Sequence, residues 1–294
     1  MNIGVTHGSL GAPPRGAGGT PHDAERSLRN AERTLRGRGI SNARMECEWL
    51  IRGALSEHPA DINSAMRRFD RMIAERITRK PLAHILGTQP FGDIDITVNS
   101  SVLIPRSETE LLVKAVADRY SSVKGTLLEI GTGSGCVAVA VSRLCPQLRL
   151  TATDISDAAL RIARKNAMVS GVAKRIRFVE SHVFRNIPRA RRFDAIVSNP
   201  PYIKTALLSR LQPEVQFEPR LALDGGPDGL DIIRAIAADA PKYLKNNGLL
   251  ALEIGYDQAR RVTALMKKAG FENVRSVKDF QGIERVIMGD WVHG

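Results

Sequence analysis

The tetrapeptide Asn199-Pro200-Pro201-Tyr202 stands directly after the apolar run Phe193 to Ser198. Two consecutive prolines hold φ near about −65° and remove two backbone N–H donors, so the loop presents carbonyl acceptors in a stiff arrangement where a strand ends. The Asn199 side-chain oxygen and the Pro200 carbonyl can accept the two hydrogens of one planar NH2 group, with Pro201 stiffening the loop and Tyr202 offering a ring to stack on. Such a clamp suits an amide or an aromatic amine, whose lone pair is delocalised. Held in line with an activated methyl group, that nitrogen gains its rate from orientation and needs no strong base. Asn199, Pro200 and Tyr202 are therefore the candidate catalytic residues, and the tetrapeptide as a whole the candidate substrate clamp. A proline-rich turn with a surface tyrosine is the bland alternative; the position after a strand of a parallel sheet argues against it.

A second constellation lies upstream, in LLEIGTGSG, Leu127 to Gly135. A glycine-rich turn between strand and helix lets a ligand approach backbone closely. The dinucleotide fingerprint needs a third glycine at 136, where Cys136 stands, and no Gly-Lys-Ser/Thr follows the turn. An adenosyl ligand without a pyrophosphate remains. Asp154, 21 residues beyond Gly133, ends the next strand, where its carboxylate can take both hydroxyls of a ribose; a plain helix cap is the alternative.

The elements that must position these groups follow from periodicity. After Glu108, strands are predicted at Thr126–Ile130, Leu148–Thr153, Ile176–Val179, Phe193–Val197 and Leu249–Glu253, separated by helical stretches. That alternation specifies an α/β fold with a parallel sheet and helices on both faces. Val274–Val277 and Arg285–Met288 read as a closing antiparallel pair. Ahead of it, Asp23 to Thr78 has helical period, with Met45, Trp49 and Leu50 on one face, then Ile62, Met66, Phe69, Met72, Ile73 and Ile77, and Asp61 as an N-cap. FGDIDITV, Phe91 to Val98, alternates as one strand of a small hairpin. Residues 1–21 hold six glycines, three prolines and Arg15 as the only charge, the composition of a disordered tail. The expected domains are the tail 1–21, a helical recognition domain 22–85, a hairpin linker 86–105 and a catalytic domain 106–294.

Composition narrows the class. The chain has 294 residues, 43% hydrophobic and 25% charged, so fibrous and wholly disordered classes are excluded. No apolar stretch suggests a membrane span or secretory leader. Cys47, Cys136 and Cys145 lack metal-ligand spacing and read as buried hydrophobes in a reducing compartment; no metal is expected, and the protein is expected to be a cytoplasmic monomer. The net charge is +12, with 17 basic against 14 acidic residues up to 120 and 26 against 17 beyond. Lys174, Arg175, Arg177, Arg185, Arg189, Arg191 and Arg192 form a run with one acid, Glu180, readable as a solvated rim or as a docking rim for a protein or RNA. His84, beside Ile85 and Leu86, reads as packed.

Taken together, LLEIGTGSG with its strand-end Asp154, the NPPY tetrapeptide and LIPRSETE at Leu103 to Glu110 resemble the HemK/PrmC family, S-adenosylmethionine-dependent methyltransferases of the side-chain amide of glutamine in class 1 peptide chain release factors. PLAHILG, VQFEPRLALDGGPDGL, LLALEIG and DFQGIERVIMG extend the likeness from about residue 25 to the end. The resemblance implies a Rossmann-like seven-stranded methyltransferase domain behind a small helical domain, with S-adenosyl-L-methionine as cofactor and a release factor as partner. It implies that Gly131, Thr132, Gly133, Ser134 and Gly135 line the cofactor, that Asp154 holds its ribose, that Glu129 reaches its amino group, and that Asn199 sits near the methyl donor. His182 and Val183 fall where the family contacts adenine, yet members commonly have Asp and a bulky residue there. Arg106, Phe217 and Glu218 look supportive by resemblance alone. NPPY is shared with RNA and DNA amino-methyltransferases, which is the competing function; the 5% aromatic content weighs against it. A cofactor-binding module without catalysis is the more distant rival.

Overall fold

The computed structural model describes residues 21–292; apart from Pro21, the expected tail lies outside them. The chain divides into two compact units, one ending at Thr78 and the other starting at Arg79.

The first unit is built from α1 (Pro21–Gly37), α2 (Ala43–Glu57) and α3 (Ile62–Ile77). The buried face of α2 is Ala43, Cys47, Leu50 and Ala54, a spacing of four, three and four that keeps one stripe inward. Met45 and Trp49, expected beside Leu50, are instead 42% and 45% exposed, and Ile62 is 45% exposed. The small side chains on the true stripe let α3 approach closely, and Phe69, Met72 and Ile73 fill the space. Arg76, 4% exposed, is paired bidentately with Glu46, at 2.6 and 3.2 Å. Asp61 caps α3 by accepting from the Ser64 backbone N–H at 3.1 Å.

The second unit begins with the short helix α4 (Leu82–Leu86) and the antiparallel hairpin β1 (Thr88–Phe91) and β2 (Ile94–Thr97). Then come α5 (Thr109–Tyr120), β3 (Gly125–Ile130), α6 (Cys136–Leu144), β4 (Leu148–Asp154), α7 (Asp157–Val169), β5 (Ile176–Glu180), β6 (Phe193–Ser198), α8 (Asp231–Asp239), β7 (Leu244–Glu253), α9 (Ala259–Lys268), β8 (Glu272–Lys278) and β9 (Glu284–Trp291). The sheet order is β5-β4-β3-β6-β7-β9-β8. Strands β3 to β7 run parallel, and β9 pairs antiparallel with both β7 and β8. The predicted closing pair is thus present, but β9 inserts between β7 and β8, so β8 forms the edge. Hydrophobic clusters cover both sheet faces, one centred on α5 and α6 and the other on α8 and α9. This is the Rossmann-like methyltransferase architecture.

One consequence of the order decides where chemistry can occur. The chain winds outward from β3 through β4 to β5, then returns to place β6 on the other side of β3. Beyond the carboxyl ends of β3 and β6 the connections diverge and leave a crevice, the usual ligand site of such sheets. The glycine turn follows β3 and the NPPY loop follows β6, so both open onto it.

Candidate functional site

A cavity of about 250 Å³ occupies that crevice. Of the candidate cofactor residues, Glu129, Gly131, Thr132, Gly133, Ser134, Asp154, His182, Val183 and Asn199 lie on its wall, as does Pro201. Gly135, Pro200 and Tyr202 do not.

The glycine turn owes its shape to left-handed backbone at Gly131 (φ 72°) and Gly133 (φ 53°), a region other residues enter at a cost. A Cβ on Gly133 would project into open space, and one on Gly131 would meet only the Asn199 carbonyl oxygen, 4.0 Å away. The turn is therefore a bare backbone cradle abutting the start of the NPPY loop. Gly135 serves a different purpose: a Cβ there would lie 2.9 Å from the Ala163 Cβ, so this glycine lets α6 and α7 close on each other.

Two carboxylates face the cradle. Asp154 accepts from the Gly133 N–H at 2.8 Å and, through its other oxygen, from the Ser156 N–H at 2.9 Å. Burial raises its pKa above the usual carboxylate range, against those backbone donors. Glu129, 3% exposed, accepts from the Thr132 hydroxyl at 2.7 Å. Burial pushes it up to about 8, Thr132 opposing and the charge of Asp154 adding to the rise. The wall also carries Asp224 and contains no lysine or arginine. In a chain of net charge +12, that makes the crevice a locally acidic site suited to a cationic ligand.

The turn after β5 is pinned by Ser181, whose hydroxyl donates to the Val183 carbonyl and accepts from the Asn186 N–H, both at 3.0 Å. Val183 has φ 50°, a strained state for a β-branched residue. Its buried side chain lines the cavity, while His182 is exposed at the rim. Cys136 also touches the cavity, but burial pushes its thiol up to about 12 and leaves it inert.

Asn199 shows how the NPPY loop is oriented. Its amide nitrogen donates to the Thr109 hydroxyl at 3.1 Å. Behind Thr109, which is 2% exposed, stands Glu253, 1% exposed at the end of β7 and influenced by the Thr109 hydroxyl. Burial pushes Glu253 up to about 7, with Thr109 pulling it back, and among the described residues its Oε2 meets no partner. With the nitrogen end of the Asn199 amide engaged, Oδ1 is left free. Among the described residues no donor reaches Asn199 Oδ1 or the Pro200 carbonyl. Asn199 Oδ1 thus stands on the cavity wall without a protein partner, and the carbonyl of the buried Pro200 next to it is likewise unclaimed.

The remainder of the loop is held by Gln258, which the sequence did not single out, and by segments that it did. Gln258, 1% exposed, donates from one nitrogen to the carbonyls of Tyr202 and Gly229, both at 3.0 Å, while its oxygen accepts from the Gly255 N–H at 2.9 Å. Tyr202 is half-buried against the α8 and α9 cluster, which explains its absence from the cavity wall, and burial keeps its phenol neutral. Gly225 and Gly229 of DGGPDGL lie against the loop's backbone: a Cβ at Gly225 would come within 2.7 Å of the Pro201 carbonyl oxygen. Glu218, nearly buried, accepts from the Ile104 N–H at 2.9 Å and from Arg106, tying the 101–105 and 219–222 segments that flank the cavity. The signals were present in outline: Thr109 lies in LIPRSETE, Glu253 ends an apolar strand, and Gly225 and Gly229 crowd a short loop.

The residues fall into known company. Residues 27–87 match the family described as PrmC N-terminal domain, and residues 106–211 the Methyltransferase small domain. A release factor glutamine methyltransferase of Geobacter sulfurreducens is 41% identical over 268 residues, covering 87% of this chain and 92% of that protein. One from Moorella thermoacetica is 39% identical, covering 85% and 92%. Among solved structures, the ribosomal protein L11 methylase of Lactobacillus delbrueckii superposes with a TM-score of 0.51 at 20% identity, covering 70% of this chain and 90% of that one, a likeness of fold alone. Among the described residues no cluster of three or more His, Cys, Asp or Glu could hold a metal, and no helix is long and apolar enough to cross a membrane. With this identity spanning nearly the whole of both chains, the protein belongs to the release factor glutamine methyltransferase family.

Proposed function

We propose that this chain transfers a methyl group from S-adenosylmethionine to the side-chain nitrogen of the glutamine in the Gly-Gly-Gln motif of class 1 peptide chain release factors. The observation that carries the reading is the Asn199 amide, whose nitrogen is committed to Thr109 so that its oxygen and the Pro200 carbonyl are the free pair.

The residues fit the cosubstrate. Gly131 and Gly133 leave space where a ligand can lie on backbone. Each oxygen of Asp154 holds one backbone N–H and keeps a lone pair for a ribose hydroxyl. Asp154, and Glu129 once the ligand's positive charge has ionised it, offer negative charge to a ligand that carries an ammonium and a sulfonium. When bound, S-adenosylmethionine supplies a methyl group activated by the sulfonium charge. Asn199 Oδ1 and the Pro200 carbonyl fix the glutamine NH2 group in one plane and one direction, which reduces the rotational entropy lost on reaching the transition state. Both are acceptors, so they favour the positive charge that builds on the nitrogen as its bond to carbon forms. Asn199 Oδ1 then holds the surplus proton until water removes it. The helical first unit, which matches the PrmC N-terminal family, would supply contacts to the release factor.

Incubation with labelled S-adenosylmethionine and a purified release factor should label the protein, its Gln→Ala variant should stay unlabelled, and total RNA should take up nothing. Label on RNA, or equal label on the variant, would refute the substrate assignment.

Glu129 makes cosubstrate affinity depend on pH. Its pKa of about 8 in the free protein must fall when a cationic ligand enters, so binding favours the ionised form and releases a proton. Affinity should therefore rise with pH up to about 8, by at most about tenfold per pH unit, and then level off. Calorimetric titrations from pH 6 to 8.5 should show this slope for wild type and its loss in Glu129→Gln; an equal slope in both would assign the dependence elsewhere.

A further inference from the structure

The parallel strands have a second set of ends. Where β3, β4, β5 and β6 begin, at the edge opposite the crevice, a recess of about 220 Å³ is lined by Arg149, Lys174, Arg175, Arg177, Arg191 and Arg192. No carboxylate lines it. The acid that stands on that edge, Asp194, is already engaged by the Thr126 N–H at 2.8 Å, the Thr126 hydroxyl at 3.0 Å and Lys245 Nζ at 2.7 Å. Elsewhere on the same unit Arg143, Arg161, Arg220, Arg234 and Lys242 meet carboxylates. Among the described residues none of the six lining cations does. Six cations from beyond residue 120 thus gather in one concave place without a carboxylate, Arg192 donating to the carbonyls of Arg189 and Arg191.

We propose that this recess is a docking surface for the phosphate backbone of double-helical RNA. Five of the six cations are arginines, whose planar fork matches phosphate oxygens two at a time. Arg149, Lys174, Arg177, Arg191 and Arg192 are exposed, so meeting a phosphate costs them little desolvation. The aromatic residue on the wall, Phe193, is 2% exposed, so no ring is available for stacking, and stacking is what single strands require. A surface with cations and no stacking platform reads backbone rather than bases, which favours a helix whose bases are already hidden. The choice of RNA over DNA rests on the release-factor reading, since translation places the enzyme among structured RNAs; the phosphate contacts do not depend on it.

The test is anisotropy of a labelled RNA duplex of about 16 base pairs, titrated between about 50 and 200 mM salt with no methyl donor or release factor present. Wild type should bind, with log affinity falling linearly in log salt at about 0.9 per phosphate neutralised. The variant carrying Arg149→Gln, Arg177→Gln and Arg191→Gln should bind at least about tenfold more weakly, with a slope shallower by about 2 to 3. Removing three exposed cations of α9, by Arg260→Gln, Lys267→Gln and Lys268→Gln, should change affinity by less than about threefold, because scattered charge does not form a site. Both variants should keep the wild-type melting curve and basal release-factor methylation. The proposal is overturned if wild type fails to bind at the lowest salt, if the α9 variant loses as much as the recess variant, if polyglutamate competes as well as RNA, or if a DNA duplex binds equally tightly. Because the readout is binding alone, its failure leaves the release-factor reading standing, and a failure of release-factor labelling leaves the phosphate contacts untouched.

Discussion

Replacing Asn199 with alanine is expected to lower turnover by about two to three orders of magnitude while cosubstrate affinity stays within a few-fold of wild type. The side chain contributes one of two acceptors to the proposed clamp, and without it the substrate amide can rotate about the contact to Pro200. The proposed cosubstrate contacts come mainly from the glycine turn, Glu129 and Asp154, which the substitution leaves in place. The orientation of the Asn199 amide adds a sharper arm. Its nitrogen donates to the Thr109 hydroxyl, and Thr109 is backed by Glu253. Thr109→Val keeps the shape and removes the acceptor, so the amide loses the bond that keeps its oxygen toward the crevice. A loss of about tenfold in kcat is expected, comparable to one hydrogen bond, with KM for the cosubstrate unchanged. Thr109→Ser should restore most of the rate. Steady-state kinetics with release factor and calorimetry with cosubstrate separate these effects. An Asn199→Ala enzyme within threefold of wild type, or a serine variant as slow as the valine one, would remove the clamp from the mechanism.

Gly229→Ala is expected to cost about 3 kcal/mol or more of stability and to depress turnover even in the fraction that stays folded. Two penalties combine. Gly229 has φ 77°, where an added Cβ costs about 1 to 2 kcal/mol. That Cβ would also lie 2.4 Å from the Tyr202 carbonyl oxygen and 2.8 Å from Gln258 Nε2, so either the NPPY backbone moves or Gln258 releases it. Movement of the Tyr202 carbonyl shifts a loop that carries both Pro200 and Asn199. Gly171 supplies the control: its φ is 70°, yet a Cβ there meets nothing within 4 Å, so Gly171→Ala should show the backbone penalty alone. Thermal melts and kinetics on the two variants measure the difference. If Gly229→Ala melted no lower than Gly171→Ala, the packing of this glycine on the loop would have no energetic weight.

Much of the architecture was legible because it is written in local periods. Alternating strand and helix signals after Glu108 specify a parallel α/β sheet, and a glycine turn after one strand with NPPY after another places two ligand loops at the same end of it. The N-cap Asp61 was readable because capping needs only three residues of context. Packing partners were harder to read. Met45 and Trp49 have helical spacing and apolar character, yet they face outward, since which stripe of α2 turns inward depends on the shape of α3. Gly135 continues the glycine turn in sequence, but Ala163, 28 positions away, sets its use.

Local chemistry along the chain thus determined the fold class and the end of the sheet at which the glycine turn and the NPPY loop meet, because residue type and strand position suffice to place groups at a sheet's carboxyl edge. Tertiary structure alone decided which way the Asn199 amide faces, since that is set by a hydroxyl 90 residues upstream. It also decided that Glu253 and Gln258 stand behind the loop, and that arginines from three separate segments share one recess. Those contacts join residues far apart in sequence, and nothing local to any one of them specifies its partner.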